Sequence, residues 1–145
     1  MSDINFIKNF LEDLHKSEII KRIINLSKNY SSVKEEVSMA FIEIEKVIPI
    51  EGEKGIEEVI NWTSEDLEDY GVVPIAGVSS GNLLCLGINE ENKNQIFYFD
   101  YDFGIYKLDN QIKDLINKLE DPIDYDSLTD EELYSLSSDE YWLSI

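Results

Sequence analysis

The feature that most constrains this chain is a series of four short apolar runs between Val72 and Leu108, each closed by turn-forming residues. Val72-Val73-Pro74-Ile75-Ala76-Gly77-Val78 is apolar and rich in β-branched side chains. Ser79-Ser80-Gly81-Asn82 is a tight turn. Leu83 to Ile88 is the second run, and Asn89 to Asn94 is a polar turn. Gln95-Ile96-Phe97-Tyr98-Phe99 is the third run and is rich in aromatics. Asp100-Tyr101-Asp102-Phe103-Gly104 turns the chain again before the short Ile105-Tyr106-Lys107-Leu108. Runs of this length and composition read as strands. Loops this short join only antiparallel neighbours, so the expectation is a meander. Pro74 lacks an amide hydrogen, which places it at a sheet edge or a strand start.

Helical patterns flank the meander. Ile4, Phe6, Ile7, Phe10, Leu11 and Leu14 recur mostly at three- and four-residue intervals, and Ile19, Ile20, Ile23 and Ile24 repeat the pattern. Residues 1–30 therefore read as a helical segment, one long helix or two, with Ser17 able to cap the second. Ser32 with Glu35 three residues on has the form of a capping box. The spacing predicts a short helix over 33–40 running into a strand over about 41–50. Gly52-Glu53-Lys54-Gly55 is a turn in a hairpin-like setting. Ser64 begins a short acidic helix that stops by Tyr70-Gly71. Asp109 is placed to cap a helix carrying Ile112, Leu115, Ile116 and Leu119, and Pro122 ends it. The remaining segment, 120–145, is an acidic tail that contains Tyr125, Tyr134, Tyr141 and Trp142.

At 145 residues, folding buries about two-thirds of the unfolded chain's surface, enough for one core. The whole of 1–145 is expected to be one α+β domain, a twisted, mainly antiparallel sheet packed by helices. Cys85 is the sole cysteine and lies in the apolar run Leu83-Leu84-Cys85-Leu86, so a buried thiol in a reducing compartment is expected. The N-terminus lacks a basic segment leading into an apolar stretch, and no apolar run approaches the ~20 residues of a membrane span. A cytoplasmic location follows as an expectation.

Charge narrows the partner. Thirty-one acids against twelve bases give a net charge of −19. Residues 1–50 are near balance, with eight acids and seven bases, whereas residues 120–145 hold nine acids and no base. Such a field repels nucleic acid and anionic membranes and attracts basic proteins.

Residue types then limit the chemistry. A nucleophilic triad needs a base, and the one histidine, His15, falls on the polar side of the first helix. One histidine and one cysteine do not make a zinc site. No glycine-rich phosphate loop is present. Asp100 and Asp102 have the spacing of a calcium loop, but Gly104 sits where a ligand is needed and no glutamate closes the loop. No catalytic residue, metal or cofactor is therefore assigned. What remains is surface. Asp100, Tyr101, Asp102 and Phe103 combine acids and aromatics on one turn, and Glu65, Asp66, Glu68 and Asp69 form an acidic cluster. These eight are the candidate partner-binding residues, because tyrosine anchors interfaces and carboxylates pair with arginine.

The segment from Val72 through the Ser79-Ser80-Gly81-Asn82 turn to Leu86 resembles the signature strand pair of the SUKH superfamily, proteins similar to the yeast cell-wall-assembly regulator. That pattern is an apolar strand with Pro-Ile-Ala, a small-residue turn ending Gly-Asn, and a second apolar strand. Gln95 to Tyr101 resembles the family's next strand, aromatic and ending in an acid, and 109–119 falls where it has a closing helix. Val78 stands where an acid is usual, and Tyr101 where histidine often follows the aspartate. The resemblance covers roughly residues 56–119. It implies an α+β fold and a common bacterial role: an immunity protein that binds and blocks a cognate toxin, often a nuclease. A basic nuclease surface suits a partner of charge −19. The reading adopted is thus a non-enzymatic, acidic immunity protein, monomeric or weakly dimeric, acting on a basic toxin. The alternatives are a regulatory scaffold of the same fold with several protein partners and a carboxylate-based hydrolase with two acids converging in a deep cleft.

Overall fold

The computed structural model describes residues 4–17, 22–61 and 65–121, with backbone alone at 61, 65 and 66. The expected α+β architecture is what forms. Helix α1 (Ile4–Lys16) is followed by β1 (Ile23–Asn25), α2 (Leu26–Asn29), α3 (Ser31–Val37) and β2 (Phe41–Val47). Then come α4 (Ile56–Asn61), α5 (Glu65–Tyr70), β3 (Val72–Val78), β4 (Leu83–Gly87), β5 (Ile96–Asp100), β6 (Gly104–Asp109) and α6 (Ile112–Asn117). The six strands form one antiparallel sheet in chain order, β1-β2-β3-β4-β5-β6.

The meander from Val72 onward is as its sequence suggests, because each turn is too short for any other pairing. The Ser79–Gly81 turn places Ser80 (φ 65°) and Gly81 (φ 76°) in the left-handed region, reversing the chain within three residues. Pro74 departs from expectation. It lies in a central strand, between β2 and β4. The strand tolerates it because the register shifts between Pro74 and Ala76, and the β2 side is paired no further than Ile75. A broken ladder has no amide to lose there.

The N-terminal third holds most of the other differences. α1 stops at Lys16, and Ile23 and Ile24 are strand residues paired with Glu43 and Ile42, not a continuing helix. Two adjacent β-branched residues fit either pattern, and pairing with β2 decides. On its other side β1 is closed by residue 120, whose N–H and C=O bond Ile23 at 2.9 and 3.0 Å. α3 begins at Ser31 with Tyr30 as its N-cap and no side-chain cap, so Ser32 is inside the helix and not its cap. Gly52–Gly55 turns into α4 rather than a second hairpin strand, and packing of Ile56 on the sheet fixes that choice. Asp109 ends β6, and the residue capping α6 is Gln111, without a side-chain bond. Ser64, Pro122 and the 122–145 tail lie outside the described residues.

The alternation along β4, β5 and β6 divides the core into two faces. On the inner face, Ile42, Ile44, Val73, Ile75, Val78, Leu84, Leu86, Ile96, Tyr98 and Leu108 pack beneath Ile7, Leu11 and Leu14 of α1 and beneath α2, α3, α4 and α6. On the outer face, Val72, Cys85 and Phe99 are buried with Leu67 of α5, while Leu83, Phe97 and Ile105 are only partly covered. Cys85 is fully buried, and burial pushes its thiol above the ordinary range, so it behaves as a small apolar side chain. Among the described residues, no helix is long and apolar enough to cross a membrane.

Candidate functional site: a braced aromatic turn

The β5–β6 turn is built from the inside. Asn82 ends the β3–β4 turn, Tyr98 points inward from β5, and Asp100 follows two residues later on the same face. All three are buried, Asn82 at 5% and Asp100 at 3% exposure. Tyr98 Oη donates to Asp100 Oδ2 at 2.8 Å. Asn82 Nδ2 reaches the same oxygen at 3.2 Å and Tyr98 Oη at 2.9 Å. Burial, and then the adjacent Asp100 carboxylate, push the Tyr98 hydroxyl well above its ordinary range.

The remaining acceptors of this cluster hold the turn backbone. Asn82 Oδ1 accepts from the Tyr101 amide at 3.1 Å. Asp100 Oδ1 accepts from the Asp102 amide at 2.8 Å and the Phe103 amide at 3.2 Å. Three consecutive amides are thus bound by two buried side chains, an Asx-type arrangement in which the carboxylate shapes the loop. From the other side, Tyr106 Oη donates to the Phe103 carbonyl at 3.0 Å.

This bracing presents aromatic side chains to solvent. Tyr101 is 63% exposed, Phe103 51%, and Tyr70, at the end of α5, 58%; these are the exposed large hydrophobic residues among those described. Tyr101 meets Phe99 edge to face, with centroids 4.8 Å apart, so its ring continues the outer-face strip of β5. Asp102 is exposed beside it. Of the predicted candidates, the structure therefore brings Tyr101, Asp102 and Phe103 together on the surface. It buries Asp100 beneath them as their support. Glu68 and Asp69 are exposed on α5, and the side chains of Glu65 and Asp66 lie outside the description.

Sequence reasoning missed Asn82 and Tyr98 as organisers of this turn. The usable signal was a polar residue at the close of one turn and an inward tyrosine two positions before the acid. It also missed a second buried acid. Asp109 accepts from Tyr30 Oη and from Lys118 Nζ, the latter at 2.8 Å, while Lys118 Nζ lies 5.1 Å from the Tyr30 ring centroid. Burial, followed by Asp109, raises the Tyr30 hydroxyl as well. Asp100 and Asp109 stand at opposite ends of the β5–β6 hairpin, each committed to its own partners, so these two acids do not converge. His15 is exposed, and its Nε2 donates to the Ile48 carbonyl at 2.9 Å.

Comparison with known proteins adds an independent line. The family model RhsPI, of Rhs-associated immunity proteins, matches residues 18–120, from just before β1 to the residue that closes it. No curated protein matches the chain.

Proposed function

Because this chain belongs to the RhsPI family, we propose that it is an immunity protein that binds a cognate Rhs toxin and keeps it inactive. The family match over the whole described sheet carries the reading. The rest is consistent with a protein that acts by occupying a surface. The braced turn offers two rigid aromatic anchors and an acid, the composition of an interface centre and its rim. The charge of −19 favours a basic toxin, such as a nuclease whose phosphate-binding surface attracts acids. Tyr101, Asp102 and Phe103 are the contact residues in this reading, with Glu68 and Asp69 nearby in sequence to the exposed end of α5, and Asp100 holds the turn. The SUKH relationship belongs to the same proposal, supported by the central β3–β4 pair and its Ser79–Asn82 turn. So do a cytoplasmic site of action, a non-enzymatic mode, and a monomer or weak dimer before the toxin binds.

The test is co-expression with the C-terminal toxin domain of the cognate Rhs protein, sought first in the neighbouring reading frame. Growth arrest by the toxin domain alone, relief by the full chain, and an equimolar complex of the purified pair are the expected results. Unrelieved arrest with no detectable complex would refute the proposal. Assaying the free toxin domain on DNA and RNA decides whether it is a nuclease.

A further inference from the structure

The described helices cover the two faces of the sheet very unequally. α1, α2, α3, α4 and α6 contribute to the inner core, whereas α5 alone among the described helices contributes to the outer one, through Leu67. The strand register shows what is left open. Leu83, Phe99 and Ile105 lie opposite one another across β4, β5 and β6, as do Cys85, Phe97 and Lys107 in the next row. Leu83, Phe97 and Ile105 are each partly exposed, and Tyr101 extends the row of Phe97 and Phe99 onto the β5–β6 turn. A continuous apolar strip with exposed aromatic ends costs solubility unless it is used.

We infer that this outer face, from Phe97 and Ile105 to Tyr101, is the surface that docks the toxin, and that its partner is a basic protein surface with an apolar centre. The inference rests on the immunity reading above. Charge complementarity selects this occupant. Glu43 faces outward from β2, because its neighbours Ile42 and Ile44 face the inner core, and it is exposed. Asp102 lies on the turn at one end of the strip, and Glu68 and Asp69 lie on α5, the helix over the same face. Lys46 and Lys107 also lie on this face, so the acids hold the majority. An apolar centre ringed by charge is how a specific interface divides affinity from steering. The outward position of Glu43 adds a residue to the contact set that the acidic clusters in the sequence did not single out.

Ile105→Arg and the double variant Y101A/F103A test the centre, and E43K tests the rim. E53K, on the exposed turn before α4, is the control. Each full-length protein is titrated against the purified toxin domain, its fold checked by circular dichroism and thermal melting, and hydrogen exchange is compared with and without the toxin domain. Y101A/F103A removes only exposed rings, so it reports binding even if Ile105→Arg is unstable. A roughly tenfold or greater loss of affinity for the centre variants, a smaller loss for E43K, none for E53K, and protection over 83–87 and 96–109 are expected. If the wild type binds but the centre variants bind equally well, with protection on the helical side, the docking face is wrong and the immunity reading stands. If the wild type does not bind the toxin domain, both fall. A self-dimer that Y101A/F103A returns to monomer would assign the face to a second copy and overturn the inference.

Discussion

Three side chains decide the geometry of the exposed turn. Asp100 receives bonds from Tyr98, Asn82 and two backbone amides. Removing one partner of a buried charge-assisted bond costs about 1.5–3 kcal/mol. Y98F should therefore destabilise the protein by about 2 kcal/mol in urea unfolding and weaken toxin binding through a looser turn. Tyr98 and Tyr30 also make a pH prediction. Both are neutral when protonated, and burial together with a neighbouring carboxylate raises both above the ordinary value of about 10. The folded state then holds those protons more tightly than the unfolded chain. Stability is complete below pH about 10 and declines as the pH rises beyond it. Urea midpoints measured between about pH 8 and about pH 11 should fall, and Y30F/Y98F should flatten the fall. At this scale the sequence was half legible. The acids and aromatics of residues 100–103 stand out by composition, but their division into buried support and exposed contact does not. Asp100 and Asp102 are the same residue type two positions apart, and what separates them is that β5 ends at Asp100 and the chain turns before Asp102.

The elements are held in register by close backbone approaches at their ends. The 88–95 connection folds back on β4 and on the end of α5. Ile88 N–H bonds the Gly71 carbonyl at 2.9 Å, and Asn92 Nδ2 bonds the Tyr70 carbonyl at 3.0 Å. A Cβ on Gly87 would lie 2.1 Å from the Asn92 carbonyl oxygen, a backbone atom with little room to move. At Gly81 the space is open, and only its positive φ of 76° opposes a side chain. Gly87→Ala should therefore cost more than Gly81→Ala, on the order of 3 kcal/mol against about 1 kcal/mol, as read by thermal or urea unfolding. Element types were readable wherever periodicity was unambiguous, as in α1 and the four meander strands. They were not readable at Ile23 and Ile24, or at the Gly52–Gly55 turn. There the local pattern suits two structures, and a distant partner chooses between them.

The whole molecule is strongly negative, and among the described residues one face of its sheet is well covered by helices and the other thinly covered. In the proposed complex with a basic toxin, long-range attraction raises the rate of encounter more than it lengthens the life of the complex. Raising NaCl from about 50 mM to about 500 mM should slow association roughly tenfold or more while changing dissociation little, as measured by stopped-flow mixing with the toxin domain. A salt-insensitive association rate would remove charge from the recognition argument. The net charge, the α+β class and the meander were all settled by sequence alone. Each depends on residue counts or on contacts between near neighbours in the chain. Tertiary structure alone decided that Pro74 sits in a central strand, that Asp109 pairs with Tyr30 and Lys118 rather than capping α6, and that Asp100 supports the turn from within. Those outcomes depend on pairings between segments far apart in the chain, and local preference carries no information about which distant segment will supply the partner.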